Sequence, residues 1–222
     1  MGTPSASIVR APPRPPSACL GAHAAVVSGP FEQPSFLEGF AVLEKLGLVF
    51  DCATWQCEIP QLTALAKRFP AATIILDHIG TPLGWGPYKS LGAAAVFDEW
   101  KEHMAELATC PNVVLKISGL TMPCTGWRWE TRAEPPSSDE VAEATGPWYL
   151  FAIELFGVER CMFCSNFPVD RASCSYGTLY NSFKKIVNGA GYSEAEKRAL
   201  FCDNAARVYK LDVPGIAGSG KL

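Results

Sequence analysis

No stretch of this chain approaches the roughly 18 consecutive apolar residues of a membrane-spanning helix, which excludes a membrane span. Basic charge is not in excess either. Lys and Arg total 19 against 22 Asp and Glu, a net charge of −3 with no basic stripe, so nucleic acid is not an expected partner. Neither G-x-G-x-x-G nor a P-loop occurs. The glycines of "HIGTPLGWGPY" (Gly80, Gly84, Gly86) are spread through a loop too long to cradle a phosphate tightly. A disulfide framework is also missing. The nine cysteines are odd in number and irregular in spacing, and Cys52, Cys110, Cys161 and Cys202 sit inside apolar segments. They read as reduced core thiols of a cytoplasmic protein.

What is present is apolar enough for a sizeable core, at 48% hydrophobic residues over 222 positions, about one domain. Residues 1–34 differ. "APPRPPSACLGAHAAVVSGP" is rich in Pro, Ala, Ser and Gly and reads as a disordered tail. Its first acidic residue is Glu32, which leaves an organelle transit peptide as an alternative, but Arg10 and Arg14 are its only basic residues. The expected domain covers residues 35–212, with a flexible tail over 213–222.

Within that domain strands and helices alternate. "SFLEGFAVLEKLG" predicts a helix opened by a Ser35/Glu38 capping box and closed by Gly47. "LGLVFD" reads as a strand ending at Asp51, and "PQLTALAKRF" as a helix ended by Pro70. "ATIILDHIG" is a second strand, "AAAVFDEWKEHMAELATC" a helix and "NVVLKISGL" a third strand. Ser137 and Glu140 open another helix, interrupted at Gly146–Pro147. "RCMFCSNFP" is the fourth strand, followed by helices near 176–188 and 194–209. Strands that read as near-continuous apolar runs are buried on both faces, as parallel strands are. The architecture expected is α/β with a parallel sheet.

In such sheets the chemistry gathers at the C-terminal ends of the strands. Polar residues stand at each of those ends: Asp51, His78, Lys116 with Ser118, and Asn166. By strand alternation His78 shares a face with Ile74 and Leu76; the plain alternative is a hydrogen-bonded core histidine. Lys116 and Ser118 share a face with Val114. A lysine in an apolar strand either meets a substrate carboxylate or lays its stem on the core and its head in water. Trp85 either covers a site as a lid or packs on the surface. Asp170 offers a carboxylate four residues past Asn166, or else caps locally.

"RCMFCSNFPVD" also holds a Cys-x-x-Cys. Alternation sends Cys161 and Cys164 to opposite faces of a strand, so they can neither chelate a metal together nor act as a dithiol pair. Redox pairs of this spacing open a helix, and none begins here.

Taken in order, "GFAVLEKLGLVFD", "FPAATIILDHIGTPLG", "CPNVVLKISGL", "FGVERCMFCSNFPVD" and "LFCDNAARVYKL" resemble successive motifs of the amidohydrolase-related family, in its lactonase branch. The resemblance runs from about Phe36 to Leu211 and implies the last four βα units of a (β/α)8 TIM barrel. It implies hydrolysis of a cyclic ester or amide of a small, carboxylate-type substrate. In that reading His78, Asn166 and Asp170 are catalytic, with His78 polarising the carbonyl or binding metal. Lys116, Ser118, Asp51 and Trp85 contact the substrate.

The family's divalent metal, zinc in many members, is not expected here. The strand-one His-x-His has no counterpart, the strand-eight aspartate is Asn166, and the other histidines are His23 and His103. An amide cannot take up a proton at neutral pH. The helix after strand five also lacks the branch's histidine, with Glu58 nearest. Half a barrel leaves two sheet edges open, which predicts a homodimer through them. The competing expectation is a truncated, inactive barrel that acts by association.

Overall fold

The computed structural model describes residues 30–213, which form two compact units that divide within the third strand, after Val114. The expected tails fall mainly on residues outside that range.

The first unit begins earlier than the sequence pattern places it. Pro30–Glu32 form a 3-10 turn, and Phe31 is buried edge-on against Phe36 with ring centroids 5.5 Å apart. Helix α1 spans Pro34–Lys45 with Gln33 as its N-cap, so the Ser35/Glu38 capping box does not form. Proline at the first helical position takes over the start, because its missing N–H would have had no helical partner. The other end is as expected. Gly47, at φ +62°, and Leu48 return their N–H groups to Glu44 and Leu43, a Schellman ending that needs a left-handed residue.

Strand β1 (Val49–Cys52) pairs in parallel with β2 (Thr73–Leu76), Val49 opposite Thr73. Between them lies α2 (Ile59–Arg68). After β2 come α3 (Pro87–Leu91), where the sequence pattern predicts only loop, and α4 (Ala93–Ala108). Asn112 sets the spacing of these parts. Its side-chain amide donates to the carbonyls of Ala66, Phe69 and Ala72, which fixes the end of α2 and the entry to β2. Its own carbonyl accepts from the N–H of Ile74 at 3.0 Å.

Strand β3 (Val113–Ile117) continues from the first unit into the second, where it pairs in parallel with β4 (Cys161–Phe163). The strand order is β1-β2-β3-β4, a mixed α/β fold on a four-stranded parallel sheet. Helix α5 (Ser138–Phe156) runs through Gly146–Pro147 without the expected break. Ser137 caps it by accepting from the N–H of Glu140. Then follow α6 (Tyr176–Gly189), α7 (Glu194–Arg198) and α8 (Asn204–Val208). The last two are one expected helix divided by a π-helical turn at Ala199–Asp203. The Ser193/Glu196 capping box is formed. Phe163 stacks between Phe183 and Phe201, at 4.6 and 4.7 Å, as the aromatic centre of this unit's core.

Among the described residues no helix is long and apolar enough to cross a membrane.

Candidate functional site

Two of the strands end sooner than the alternation argument assumed. β2 stops at Leu76, and Asp77–Gly80 form a turn in which His78 (φ 56°), Ile79 (φ 48°) and Gly80 (φ 72°) are all left-handed, as is Thr81 (φ 33°). His78 therefore does not share a strand face with Ile74 and Leu76. This conformation costs a β-branched residue such as Ile79 more than most, so neighbours must impose it. Trp100 does so in part by donating its indole N–H to the Ile79 carbonyl at 2.7 Å. Gly80 is required here twice over. Its φ is left-handed, and a Cβ would lie 2.6 Å from Ile59 Cδ1.

Around this turn the first unit is acidic and dry. Asp51, Asp77 and His78 are all buried. Asp51 does not close its strand, since Cys52 follows it within β1. Burial pushes the Cys52 thiol well above its ordinary pKa, and the carboxylates of Asp77, Glu58 and Asp51 push the same way. Glu58 accepts from Thr54 Oγ1 at 2.6 Å. Gln56, buried completely, accepts from the Leu83 N–H, and its carbonyl lies 2.9 Å from His103 Nδ1. Trp85 stands exposed just ahead of α3.

In the second unit β4 is only three residues long, and the polar groups follow it in a compact turn. Cys161 is buried within the strand, while Cys164 lies beyond it and donates to Ser118 Oγ at 2.8 Å. Both are free thiols. Asn166 is left-handed at φ 51°, and the Phe167–Pro168 peptide is cis. The Asn166 amide donates to Asp170 Oδ1 at 3.2 Å. The Asn166 carbonyl accepts from the N–H groups of Val169 and Asp170.

Asp170 has no exposed surface, and its second carboxylate oxygen has no hydrogen-bond partner. Burial raises its pKa to about 6; the hydroxyl of Thr121 and the Asn166 amide offset this only in part. The Thr121 hydroxyl, also buried, has no conventional hydrogen bond of its own. Cys124 and Cys174 are held up at about 11, by burial first and then by the Asp170 charge. Tyr149, wholly buried, accepts the Leu120 N–H on its phenol oxygen at 3.2 Å.

Lys116 has a structural partner. Its ammonium lies 5.5 Å from the ring centroid of Tyr209, a cation–π contact that accounts for a lysine in an apolar strand. Within this unit the structure thus brings together Asn166 with Asp170, and separately Ser118 with Cys164.

Thr121, Tyr149 and the aromatic segment Trp127–Glu130 are not among the residues that strand alternation singles out. The signal available was "TGWRWETR", where tryptophans and charges interleave in the loop that follows the third strand. Among the described residues no three His, Cys, Asp or Glu side chains converge as a metal site.

The family described as Amidohydrolase matches residues 22–211. An uncharacterised protein of Sinorhizobium fredii is 38% identical over 178 residues, 80% of this chain and 52% of that protein. An L-fucono-1,5-lactonase of Burkholderia multivorans is 30% identical over 193 residues, 84% of this chain and 59% of that protein. A crystal structure of a zinc-bound amidohydrolase from Burkholderia multivorans superposes with a TM-score of 0.70 at 28% identity, covering 82% of this chain and 59% of that one. The chain thus spans between half and three fifths of the length of these relatives.

Proposed function

The chain belongs to the amidohydrolase family, and on that premise we propose that it hydrolyses a lactone, with Asp170 as the general base. The observation that carries this reading is the buried Asp170 carboxylate, at a pKa of about 6, fixed by Asn166 directly after the last strand. A base poised near neutral pH is well matched to activating water. Two curated relatives are L-fucono-1,5-lactonases and a third is an L-rhamnono-gamma-lactonase, which supports a sugar lactone as substrate.

In the proposed reaction Asp170 takes a proton from water as the water oxygen bonds to the lactone carbonyl carbon. The carbonyl π pair moves onto oxygen. When that pair returns, the ring C–O bond breaks, and the departing oxygen takes the proton back from Asp170, giving the hydroxy acid. Asn166 cannot be the base, but its amide holds Asp170 in place. His78 and Ser118 are proposed as groups that polarise or hold the substrate carbonyl. Asp51 and Trp85 are proposed substrate contacts. Lys116, with its ammonium 5.5 Å from the centre of the Tyr209 ring, is proposed as a further substrate contact.

The barrel reading is part of the proposal: four consecutive βα units matching the last four of a (β/α)8 barrel. A competing reading is an inactive half-barrel that associates through the edges of β1 and β4.

The test is a pH-stat assay of L-fuconolactone hydrolysis by the full chain and by Asp170→Asn. The proposal expects wild-type turnover and a fall of roughly a hundredfold or more in the variant. Equal rates, or none in wild type, would reject it.

A further inference from the structure

Among the described residues of the second unit four buried polar atoms make no hydrogen bond of ordinary geometry: Trp127 Nε1, Glu130 Oε2, and Thr121 Oγ1 and Asp170 Oδ2, of which the last two lie close enough for the hydroxyl to lower the carboxyl's pKa. Such orphans are rare in a folded protein, and each calls for an explanation. These belong to only two segments. One follows β3 and the other follows β4, and the two strands are parallel neighbours, so both segments leave the same end of the sheet. The root of the first segment is anchored beside Asp170. Leu120 is held by Tyr149, Thr125 Oγ1 donates to the Leu120 and Met122 carbonyls, and the Cys124 thiol feels the Asp170 charge.

Trp127 and Trp129 stack with ring planes 12° apart and centroids 5.5 Å apart. Trp129 is buried and Trp127 half-buried. Arg128 between them is left-handed at φ 60°, which reverses the chain so that the two rings meet. The pair is a rigid apolar face whose one polar atom, Trp127 Nε1, can only donate. Glu130 Oε2, three residues on, accepts when ionised.

A separated donor and acceptor, both dry, are satisfied together by a group that accepts and donates at once. A hydroxyl does this, and the C–H face of a sugar ring suits an indole face. We infer that the Trp127–Glu130 segment is the specificity determinant for a polyhydroxylated lactone: Trp127 Nε1 and Glu130 Oε2 read ring hydroxyls, while Asp170 acts on the carbonyl end. This inference rests on the lactonase reading and adds how the substrate is chosen. A site with orphan polar groups rejects a ligand lacking hydroxyls, because such a ligand leaves them unpaired.

The test compares L-fuconolactone with unsubstituted δ-valerolactone in wild type, Trp127→Phe and Glu130→Gln. Phe keeps the aromatic face without the N–H, and Gln keeps the shape without the charge. Wild type is expected to prefer the sugar lactone about a hundredfold or more in kcat/KM. Each variant should lose about tenfold of that preference, read as the ratio of the two kcat/KM values and carried by KM for the sugar lactone. Variants that fold, by circular dichroism, and keep the full preference would overturn the inference. If wild type hydrolyses neither lactone, the lactonase reading fails, and calorimetric binding of L-fuconate then decides the inference separately. Wild-type binding that weakens in both variants supports it, and no wild-type binding, or equal binding in all three proteins, rejects it.

Discussion

The Asn166 side-chain amide donates to Asp170 Oδ1 across 3.2 Å, so the residue that cannot take up a proton holds the one that can. The left-handed Asn166 backbone and the hydrogen bonds its carbonyl accepts from Val169 and Asp170 make this contact local. One side of the carboxylate is satisfied and the other is left open.

That arrangement has a thermodynamic signature. The folded-state pKa of Asp170, about 6, lies above its ordinary 3.8. The folded protein therefore binds this proton more tightly than the unfolded chain does. Stability from this group is fully present below the ordinary value and is lost as pH rises to about 6. Asp170→Asn removes the buried charge while still offering an oxygen to Asn166. It should raise stability by on the order of 1–3 kcal/mol near neutral pH, with the gain vanishing in acid. Urea melts of both proteins at several pH values check this; a gain independent of pH would contradict it.

Asn166→Asp makes the reverse case, a half-buried carboxylate beside the buried Asp170 in one turn. Like charges at this distance cannot both ionise cheaply, so one pKa must rise further. The variant should be less stable than wild type by about 1–3 kcal/mol near neutral pH, and closer to it near about pH 5. Thermal melts across that range provide the check. A variant as stable as wild type at neutral pH would show that the turn admits enough water to screen the pair.

The α/β alternation and the parallel strands were legible in the chain, because apolar runs, caps and glycine stops are local signals. The Gly47 and Ser193/Glu196 signals fixed helix ends correctly, whereas Ser35/Glu38 lost to Pro34, since only one residue can start the helix. His78 and Asn166 were legible as strand-end residues but not by face. Both sit in left-handed turns that tertiary contacts impose, such as Trp100 on Ile79. Asp170 could be named but its burial could not, because that depends on Thr121 and Asn166 folding around it. The Trp127–Glu130 segment alternates over only four residues and lies outside every expected strand and helix, so pattern reading passed over it.

The left-handed turn at His78 supplies a stability prediction in the first unit. Trp100→Phe deletes the indole N–H that holds the Ile79 carbonyl while filling most of the same volume. The loss should be about 1–3 kcal/mol, the cost of leaving a buried carbonyl unpaired. Gly80→Ala should cost a similar amount, about 1–3 kcal/mol, from the left-handed φ and the crowding against Ile59. Chemical denaturation measures both, and amide exchange at Gly80 and Thr81 should quicken in Trp100→Phe. Unchanged exchange there would mean that Trp100 does not hold the turn.

The thiols allow a direct test of the Cys-x-x-Cys reading. Cys161 is buried in β4, and burial raises its pKa far above the ordinary range, while Cys164 lies past the strand with its thiol on Ser118. A thiol that stays protonated and dry is neither nucleophile nor ligand. Under native alkylation at about pH 8, Cys161 and Cys52 should remain unmodified while the partly exposed Cys57 and Cys202 react. Cys164→Ser should leave redox behaviour indistinguishable from wild type. Mass spectrometry after brief iodoacetamide treatment, with and without denaturant, reads the pattern. Rapid native labelling of Cys161, or a Cys161–Cys164 disulfide after mild oxidation, would show that the strand opens enough for the pair to act together.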